Sequence, residues 1–462
     1  MILIDKIIEN TSLKIVDGNT SRKFILKDMF YDLSFMETSD KQLVFLYCQN
    51  QVHSVGMYFS FLRANVVLVL LNEAIGISLK KALERNYQPN IIVDITREAI
   101  EGHEKFTISS SFDRVPVFIS KEKHSHKINE NIKLMLPTSG TTGSPKLVKL
   151  SEKNLYENAV SISDYLPIIS QDVTPLNLPI YYSYGLSVLH SNALNGGTIV
   201  CHTDDILSKE FWNQFVRFEF TSIAGVPFVY EMLDRIGFRK KHYPSLRYIS
   251  QAGGNLNQRT KQKFLDYATH NNIDFYVMYG QTEATARIAY VCPNKLQNKL
   301  TSIGKPISKG SLSIDQETKE LLYEGPNIFG GYAKTQTDLA VWEQIKPLRT
   351  GDLAQKDEDG YYFIIGRIKR FIKIFGNRIN LDELEQFLKE QTEDTDFACI
   401  GLADKDIVVF TNKTIQFERV RKNISDTFKI HKSVLKHEVI NNFPLTTNKK
   451  LDYQALEKIC EP

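Results

Sequence analysis

The chain is poor in cysteine, and the few cysteines that it has follow no pairing or metal-binding pattern. Five are scattered through 462 residues, odd in number and without a CxxC spacing: Cys48, Cys201, Cys292, Cys399 and Cys460. That distribution supports neither a disulfide framework nor a thiolate metal site. The pattern is typical of reduced cysteines in a cytoplasmic protein.

Long hydrophobic runs and an excess of one charge are also missing. The longest apolar run, residues 66–71, is far too short to span a bilayer, and residues 1–18 carry acids where a signal peptide needs an apolar core. The formal net charge is only +3, whereas nucleic-acid binding usually requires a basic patch that dominates a domain. We therefore expect a cytoplasmic protein with no stable membrane insertion and no nucleic-acid partner.

What is present is enough apolar material for more than one folded domain. Hydrophobic residues make up 42% of the chain and aromatic residues 11%, and 462 residues exceed what a single core normally serves. Helix-spaced apolar residues alternate with strand-like runs, as where a predicted helix over 51–64 leads into a predicted strand over 66–71. A helix over 154–165 is predicted with Ser151 as its N-cap. This alternation is typical of a layered α/β domain.

The pattern changes twice beyond residue 300. Residues 303–332 and 348–365 form short β-type segments broken by glycines, which predicts a β-rich subdomain. After Arg367 the chain is charged, with helices and strands predicted at 381–390, 397–402, 407–411 and 418–428. We therefore predict the α/β fold class, with a large N-terminal layered domain and its β-rich subdomain over 1–366 and a small, mobile α+β domain over 367–462.

Residues 135–146, MLPTSGTTGSPK, combine glycines, hydroxyls and one cation. Backbone that wraps a phosphate closely needs glycine, and hydroxyl and ammonium groups add donors and charge. The run is not a Walker A loop, because Lys146 follows Pro145 and precedes Leu147. A flexible linker is the alternative, but strand-like residues 132–136 and 147–150 flank the run, which favours a loop inside a hairpin.

Six further motifs follow in order: QAGGNL at 251–256, YGQTEAT at 279–285, TGDLA at 350–354, DGYYFIIGRIK at 359–369, GNRINLDELE at 376–385 and PLTTNKKLDY at 444–453. Together with the loop they resemble the acyl-adenylate-forming (AMP-binding) superfamily of acyl-CoA synthetases, peptide-synthetase adenylation domains and luciferase-like ligases. The resemblance covers residues 66–453. It implies ATP-dependent activation of a carboxylic acid to an acyl-adenylate with release of pyrophosphate, then acyl transfer to a thiol, for which CoA is favoured.

The resemblance also implies the residues that bind ATP and Mg²⁺. The nucleotide-binding set would be Thr138, Ser139, Gly140, Thr141, Thr142, Gly143, Lys146, Gly253, Gly254, Tyr279, Gly280, Asp352, Ile364 and Arg367. Thr282 would contact the α-phosphate, and Glu283 would bind Mg²⁺ through its hard carboxylate oxygens. For Arg367 a structural ion pair is the alternative role.

The family's catalytic lysine aligns with Lys450, and Lys449 occupies the usual glycine before it. A cation on a mobile domain would stabilise the charge shared between the attacking carboxylate and the α-phosphate. Lys369 aligns with the hinge about which that domain would turn, exposing a different face that includes Gly376 for thioester formation. Arg370 departs from the family pattern, and the sequence gives no account of it.

The segment NLPIYYSYGLSVL at 177–189 bears on the substrate. Amino-acid-activating relatives place an aspartate for the substrate ammonium where this chain has Gly185, so an α-amino acid loses its main anchor. Candidate pocket residues are Tyr182, Tyr184, Gly185, Val226 and Met278, although the aromatics are equally compatible with an ordinary core. A small or medium non-amino carboxylic acid is favoured.

The resemblance implies CoA or the phosphopantetheine of an acyl carrier protein as the thiol acceptor. Basic residues at 419–437 would face either one, or would form a solvated helix face. Two alternatives to an acyl-CoA synthetase stay open: a stand-alone adenylation enzyme that loads an acyl or aminoacyl group onto a carrier protein, and a catalytically weak nucleotide-binding relative.

Overall fold

The computed structural model describes residues 2–36, 40–122, 124, 126–138, 146–374, 377–391, 395–402, 405–446 and 449–460. The chain divides into two compact units. The first comprises residues 1–311 and 324–348, and the second comprises residues 312–323 and 349–462. Among the described residues, no helix is both long enough and apolar enough to cross a membrane.

The first unit contains an eight-stranded sheet with a parallel centre. The strand order is Tyr332–Ala333, Leu147–Leu150, Leu134–Pro137, Val66–Asn72, Gln42–Cys48, Ile91–Val93, Arg114–Ser120 and His103–Ser109. The four strands from Leu134–Pro137 to Ile91–Val93 run parallel, and the outer pairs are antiparallel. The central strands are continuous apolar runs, as expected for strands covered on both faces.

Two smaller sheets complete the first unit. One has the order Ser222–Gly225, Tyr248–Gln251, Asp274–Tyr279, Ala289–Val291 and Lys305–Pro306, and its first three strands are parallel. The other has the order Val173–Pro175, Thr198–Cys201, Lys14–Asp17 and Lys23–Phe24. The α-helices of this unit are Ile2–Glu9, Val52–Arg63, Ile77–Tyr87, Glu152–Tyr165, Ser183–Leu194, Lys209–Phe218, Pro227–Arg235, Gln258–His270 and Pro293–Leu296.

Among its described residues, the second unit contains three short sheets and three α-helices. Its sheets are Ser311–Ile314, Glu320–Glu324, Leu348–Lys356 and Tyr362–Arg367; Phe371–Ile374 and Asn377–Asn380; and Phe397–Leu402, Asp406–Thr411 and Leu435–Val439. Its helices are Leu381–Gln391, Phe417–Phe428 and Tyr453–Ile459. Leu384, Leu388 and Ile424 are fully buried or nearly so where two of the helices pack on the last sheet. The α/β class with a smaller α+β C-terminal part is confirmed.

The predicted boundary at Arg367–Arg370 lies inside the second compact unit, which begins at residue 349 and also takes in 312–323. Strand pairing explains why the second unit begins before the predicted boundary. The strand Leu348–Lys356 is hydrogen-bonded on one side to Tyr362–Arg367 and on the other to Glu320–Glu324. A turning point at Lys369, on the short 3₁₀ segment Ile368–Arg370, stays a prediction.

Candidate active site

The predicted phosphate loop lies between two paired strands. Leu134–Pro137 and Leu147–Leu150 are antiparallel, with Pro137 opposite Leu147. At the mouth of the hairpin the Thr138 backbone N–H donates to the Lys146 carbonyl at 3.4 Å. The Thr138 hydroxyl is buried and has no hydrogen-bond partner among the described residues, so a ligand phosphate fits its bonding requirement. The predicted loop residues Ser139, Gly140, Thr141, Thr142 and Gly143 lie outside the described residues.

Tyr332 joins the two charged residues that the sequence assigns to the nucleotide phosphates and to Mg²⁺. Its strand pairs with the one that leaves the phosphate loop, Tyr332 opposite Val148. The Lys146 ammonium lies 3.5 Å from the centre of the Tyr332 ring, and the Tyr332 hydroxyl donates to Glu283 Oε1 at 2.7 Å. Burial, together with the Glu283 charge, raises the pKa of Tyr332, so the phenol stays a neutral donor. No motif in the sequence points to Tyr332.

Glu283 fits a magnesium ion that is shared with phosphate oxygens. Among the described residues, no group of three or more His, Cys, Asp or Glu side chains is arranged to hold a metal. Mg²⁺ is usually bound by one or two carboxylates together with substrate phosphates and waters. A single carboxylate near Lys146 therefore suits Mg²⁺ that arrives with ATP.

The segment after strand Asp274–Tyr279 folds back tightly on itself. A Cβ at Gly280 would lie 1.8 Å from the Ala286 carbonyl oxygen, so only glycine fits. The 3₁₀ turn Thr282–Ala284 follows, and the Thr282 hydroxyl lies 3.1 Å from that of Ser183. The turn thus brings Thr282 to the start of helix Ser183–Leu194.

Gly253 and Gly254 form a second tight turn, after strand Tyr248–Gln251. Gly253 has φ +83°, in the left-handed region, and the Gln251 side-chain amide donates to the Gly254 carbonyl at 2.9 Å. A Cβ at Gly254 would approach Pro227 to 3.1 Å. The backbone at these two glycines can therefore approach a ligand closely. Its contact with adenine stays a prediction.

The candidate acyl-pocket residues are buried, and Gly185 has no room for a side chain. A Cβ there would lie 2.2 Å from the Pro179 carbonyl oxygen and 2.5 Å from that of Leu178. An aspartate cannot be accommodated against those carbonyls without moving the backbone. Tyr184 donates to the Ser250 carbonyl at 2.9 Å, and Met278 accepts from the Tyr165 hydroxyl at 3.1 Å. Tyr182 and Val226 are also buried.

In the second unit, Asp352 and Arg367 form an ion pair. They face each other across antiparallel strands, and Arg367 Nε lies 2.9 Å from Asp352 Oδ1. The Asp352 side chain is buried whereas that of Arg367 is largely exposed. The structural ion pair that was the alternative role for Arg367 is thus present in the fold. Contact of either residue with the ribose, and of Ile364 on the same strand, stays a prediction.

Lys450 lies at the base of a small hairpin before the last helix. Leu445 and Leu451 form a β-bridge, and the Thr446 backbone N–H donates to the Lys450 carbonyl at 2.7 Å. Asp452 Oδ1 accepts from the Ala455 N–H at 3.0 Å and caps helix Tyr453–Ile459. The backbone of Lys450 is therefore fixed relative to that helix.

A scan of family models matches residues 36–333 to the AMP-binding enzyme family. That match spans well over half of the chain. The chain belongs to the AMP-binding enzyme family.

Relatives of this AMP-binding enzyme agree with the match. A 2-succinylbenzoate–CoA ligase of Bacillus cytotoxicus is 24% identical over 462 aligned residues, which cover 93% of this chain and 91% of the relative. An oxalate–CoA ligase of Arabidopsis thaliana is 25% identical over 343 aligned residues, which cover 69% of this chain and 65% of the relative. The fold also matches a solved structure, that of o-succinylbenzoate CoA synthetase (MenE) from Bacillus subtilis with the acyl-adenylate intermediate OSB-AMP. The two superimpose with a TM-score of 0.75 at 20% identity, over 98% of this chain and 97% of the other.

The predicted reaction class of the AMP-binding enzyme is thereby confirmed. It is an AMP-forming acid–thiol ligase that makes an acyl-adenylate from ATP and a carboxylic acid, releases pyrophosphate and then transfers the acyl group to a thiol. The roles of the individual site residues stay predictions.

Lys449, where the family pattern has glycine, adopts φ +58°. This left-handed conformation explains the glycine, because a side chain there costs about 1–2 kcal/mol. We expect Lys449→Gly to leave acyl-adenylate formation intact and to change the free energy of unfolding by less than about 1 kcal/mol, since the relief of strain is offset by the freer unfolded chain. Urea denaturation of Lys449→Gly beside Lys449→Ala measures this. A loss above 2 kcal/mol in Lys449→Gly alone would contradict it.

Arg370, which the sequence left without a role, is the centre of a buried network in the second unit. Its guanidinium donates to Asp382, to Glu385 and, at 2.8 Å, to the Cys399 carbonyl. It also stacks on Tyr453, with Cζ 3.9 Å from the ring centre. The Tyr453 hydroxyl donates to Glu385 Oε2 at 2.8 Å. Arg370 therefore fastens the helix that follows Lys450 to the body of its unit.

Proposed function

We propose that this AMP-binding enzyme activates a carboxylic acid that lacks an α-ammonium group and transfers the acyl group to CoA in the cytoplasm. The closed backbone around Gly185 carries the proposal. Amino-acid-activating relatives need a carboxylate at this position, and the carbonyls of Leu178 and Pro179 fill the space that its Cβ would take. An ammonium group would then be desolvated without a counter-charge, which is strongly unfavourable.

The described residues divide the work of the first step. Lys146 and the Thr138 hydroxyl would neutralise and bind the phosphates that leave as pyrophosphate, and Glu283 would hold Mg²⁺. Tyr332 contacts both residues, with Lys146 over the face of its ring and Glu283 at its hydroxyl, so a cation and a metal-binding anion would serve one polyphosphate chain. Catalysis of this kind is mostly positioning and charge neutralisation. Lys450 would supply the charge that stabilises the attacking carboxylate and the α-phosphate.

CoA is the favoured acceptor because the relatives that cover nine-tenths of this chain are named as CoA ligases. The helix Phe417–Phe428 carries Arg419, Arg421 and Lys422. A basic surface suits the phosphates of CoA, and it would equally suit an acidic carrier protein. The acceptor therefore has to be assigned by experiment.

Exchange of labelled pyrophosphate into ATP, in the presence of Mg²⁺ and one acid at a time, tests the proposal. The panel contains 2-succinylbenzoate, oxalate, benzoate, hexanoate and phenylalanine, with the methyl esters of the active acids as controls. We expect exchange with at least one non-amino acid, none with phenylalanine and none with an ester. Adding CoA or a phosphopantetheinylated carrier protein to the active acid then identifies the acceptor by the thioester formed.

Two outcomes would overturn the proposal. Exchange that occurs only with amino acids would show that the ammonium is bound without an aspartate at position 185. ATP binding measured by calorimetry, without exchange for any acid, would favour a catalytically weak nucleotide-binding relative. Thioester formation only on the carrier protein would replace CoA as the acceptor and leave the activation step in place.

A further inference from the structure

The turn Thr282–Ala284 leads into a strained piece of backbone that Asn327 holds in place. Thr285 is the centre of a γ-turn with φ +64° and ψ −55°, closed by a hydrogen bond from the Ala286 N–H to the Ala284 carbonyl at 2.7 Å. This kind of γ-turn is rare and persists only where the surrounding structure fixes it. The Thr285 hydroxyl donates to the Asn327 carbonyl at 2.7 Å, and the Asn327 amide donates to the Ala284 carbonyl at 2.8 Å. Asn327 therefore fixes the backbone of the turn.

Residues just after Asn327 hold Glu283, the predicted Mg²⁺ ligand within the turn. The Phe329 backbone N–H donates to the Glu283 carbonyl at 2.9 Å, and the Tyr332 hydroxyl donates to Glu283 Oε1 at 2.7 Å. One contact holds the main chain and the other holds the carboxylate. Among the described residues no ion pair includes Glu283. The negative charge of Glu283 is therefore oriented but not neutralised, as suits a group that binds a cation.

Tyr332 holds the neighbouring cation at a different part of its side chain. The Lys146 ammonium lies over the ring, 3.5 Å from its centre, where the face of an aromatic ring attracts a positive charge. The hydroxyl donates to Glu283 in the plane of the same ring. Burial and the Glu283 charge raise the pKa of Tyr332, so the hydroxyl keeps the proton that it donates. One side chain thus orients the carboxylate and gives the lysine a separate place.

We propose that Tyr332 is a positioning residue for Mg²⁺, whose hydroxyl orients the Glu283 carboxylate for the ion that arrives with ATP. This inference rests on the ligase function proposed above. A hydrogen-bond partner that orients a metal-ligating carboxylate typically contributes 10- to 100-fold to metal affinity. Without the hydroxyl, the carboxylate would have to be ordered when the ion binds. The loss should therefore appear in the affinity for the ion and be overcome by a higher Mg²⁺ concentration.

The test measures metal binding directly on wild type and Tyr332→Phe, a variant that keeps the ring and removes the hydroxyl. Mn²⁺ replaces Mg²⁺, because it takes similar oxygen ligands and is visible by electron paramagnetic resonance. The nucleotide is α,β-methylene-ATP, which cannot release pyrophosphate. We expect Tyr332→Phe to raise the Kd of Mn²⁺ by about 10- to 100-fold. Pyrophosphate exchange should need correspondingly more Mg²⁺, with kcat at saturating Mg²⁺ and KM for the acid close to wild type.

Two further variants separate the hydroxyl from the rest of the side chain. Tyr332→Leu also removes the ring under Lys146, so it should in addition raise KM for ATP by about 2- to 30-fold. Tyr87→Phe is the matched control, because the Tyr87 hydroxyl donates to the Ala333 carbonyl at 2.8 Å and so holds the same two-residue strand. It should lower the melting temperature and leave the Kd of Mn²⁺ within about two-fold of wild type.

An unchanged Kd of Mn²⁺ in Tyr332→Phe would overturn the proposal. An equal rise of that Kd in Tyr87→Phe would also overturn it, because Tyr332 would then act only through the packing of its strand. Should Tyr332→Phe fail to fold, an unchanged Kd in Tyr332→Leu is equally contradictory. If the Kd depends on Tyr332 but no acid supports exchange in wild type, this inference is supported and only the ligase function fails.

Discussion

Lys450→Ala is expected to lower acyl-adenylate formation by at least about 100-fold while ATP binding stays within about two-fold of wild type. Removal of one preorganised group that stabilises developing charge typically costs 10²–10³-fold in turnover. Lys450 directly precedes Leu451 of the β-bridge Leu445–Leu451, and its carbonyl accepts from the Thr446 N–H, so the truncation leaves the backbone hydrogen bonds in place. Pyrophosphate exchange measures the loss, and calorimetry with ATP measures binding.

Lys449→Ala is the matched control, because it removes the same type of side chain from the neighbouring residue. It should retain exchange within a few-fold, which separates a specific cation from a general basic tail. Lys450→Arg should recover only part of the rate, since a planar guanidinium does not reproduce a compact ammonium. Near-normal exchange in Lys450→Ala, or an equal loss in Lys449→Ala, would remove Lys450 from the mechanism.

The local elements could be predicted because their signals lie within short stretches of sequence. The apolar strands on either side of the phosphate loop pair as a hairpin, and Ser151 caps the helix Glu152–Tyr165 through a capping box. The strand predicted over 397–402 is observed as Phe397–Leu402. In each case the period of apolar residues or the capping side chain is sufficient to specify the element.

The contacts that assemble the site could not be predicted in this way. Tyr332 reaches Lys146 and Glu283 only because its two-residue strand pairs with Leu147–Leu150, far away in the sequence. Strand Gln42–Cys48, at the centre of the eight-stranded sheet, also went unrecognised. Its continuous apolar run does not distinguish a buried strand from a buried helix.

Arg370→Ala is expected to destabilise the second unit by about 3–5 kcal/mol, since removal of one partner leaves a buried charge uncompensated. Glu385 is that charge: its carboxylate accepts from Arg370, from the Cys399 N–H at 2.7 Å and from Tyr453. Burial raises the pKa of Glu385 even with Arg370 beside it, and loss of the guanidinium would raise it further. A carboxyl group whose pKa is higher in the folded than in the unfolded protein stabilises the fold at pH values below its unfolded pKa. This stabilisation is lost as the pH rises through its folded pKa. The stability of Arg370→Ala should therefore fall from about pH 4.5 upward.

Urea denaturation between pH 4.5 and pH 8 checks both statements, and the double variant Arg370→Met, Glu385→Gln is the control. A neutral pair of similar volume leaves no buried charge, so this variant should recover most of the lost stability and lose the pH dependence. Pyrophosphate exchange then tests whether the network also positions Lys450, which Tyr453 follows by three residues. Under conditions where Arg370→Ala is folded, it should lose on the order of 10- to 100-fold in exchange, because small misplacements of a catalytic group are costly. Equal stability of Arg370→Ala and wild type at pH 8 would show that water replaces the guanidinium and that the network does not hold the Lys450 segment.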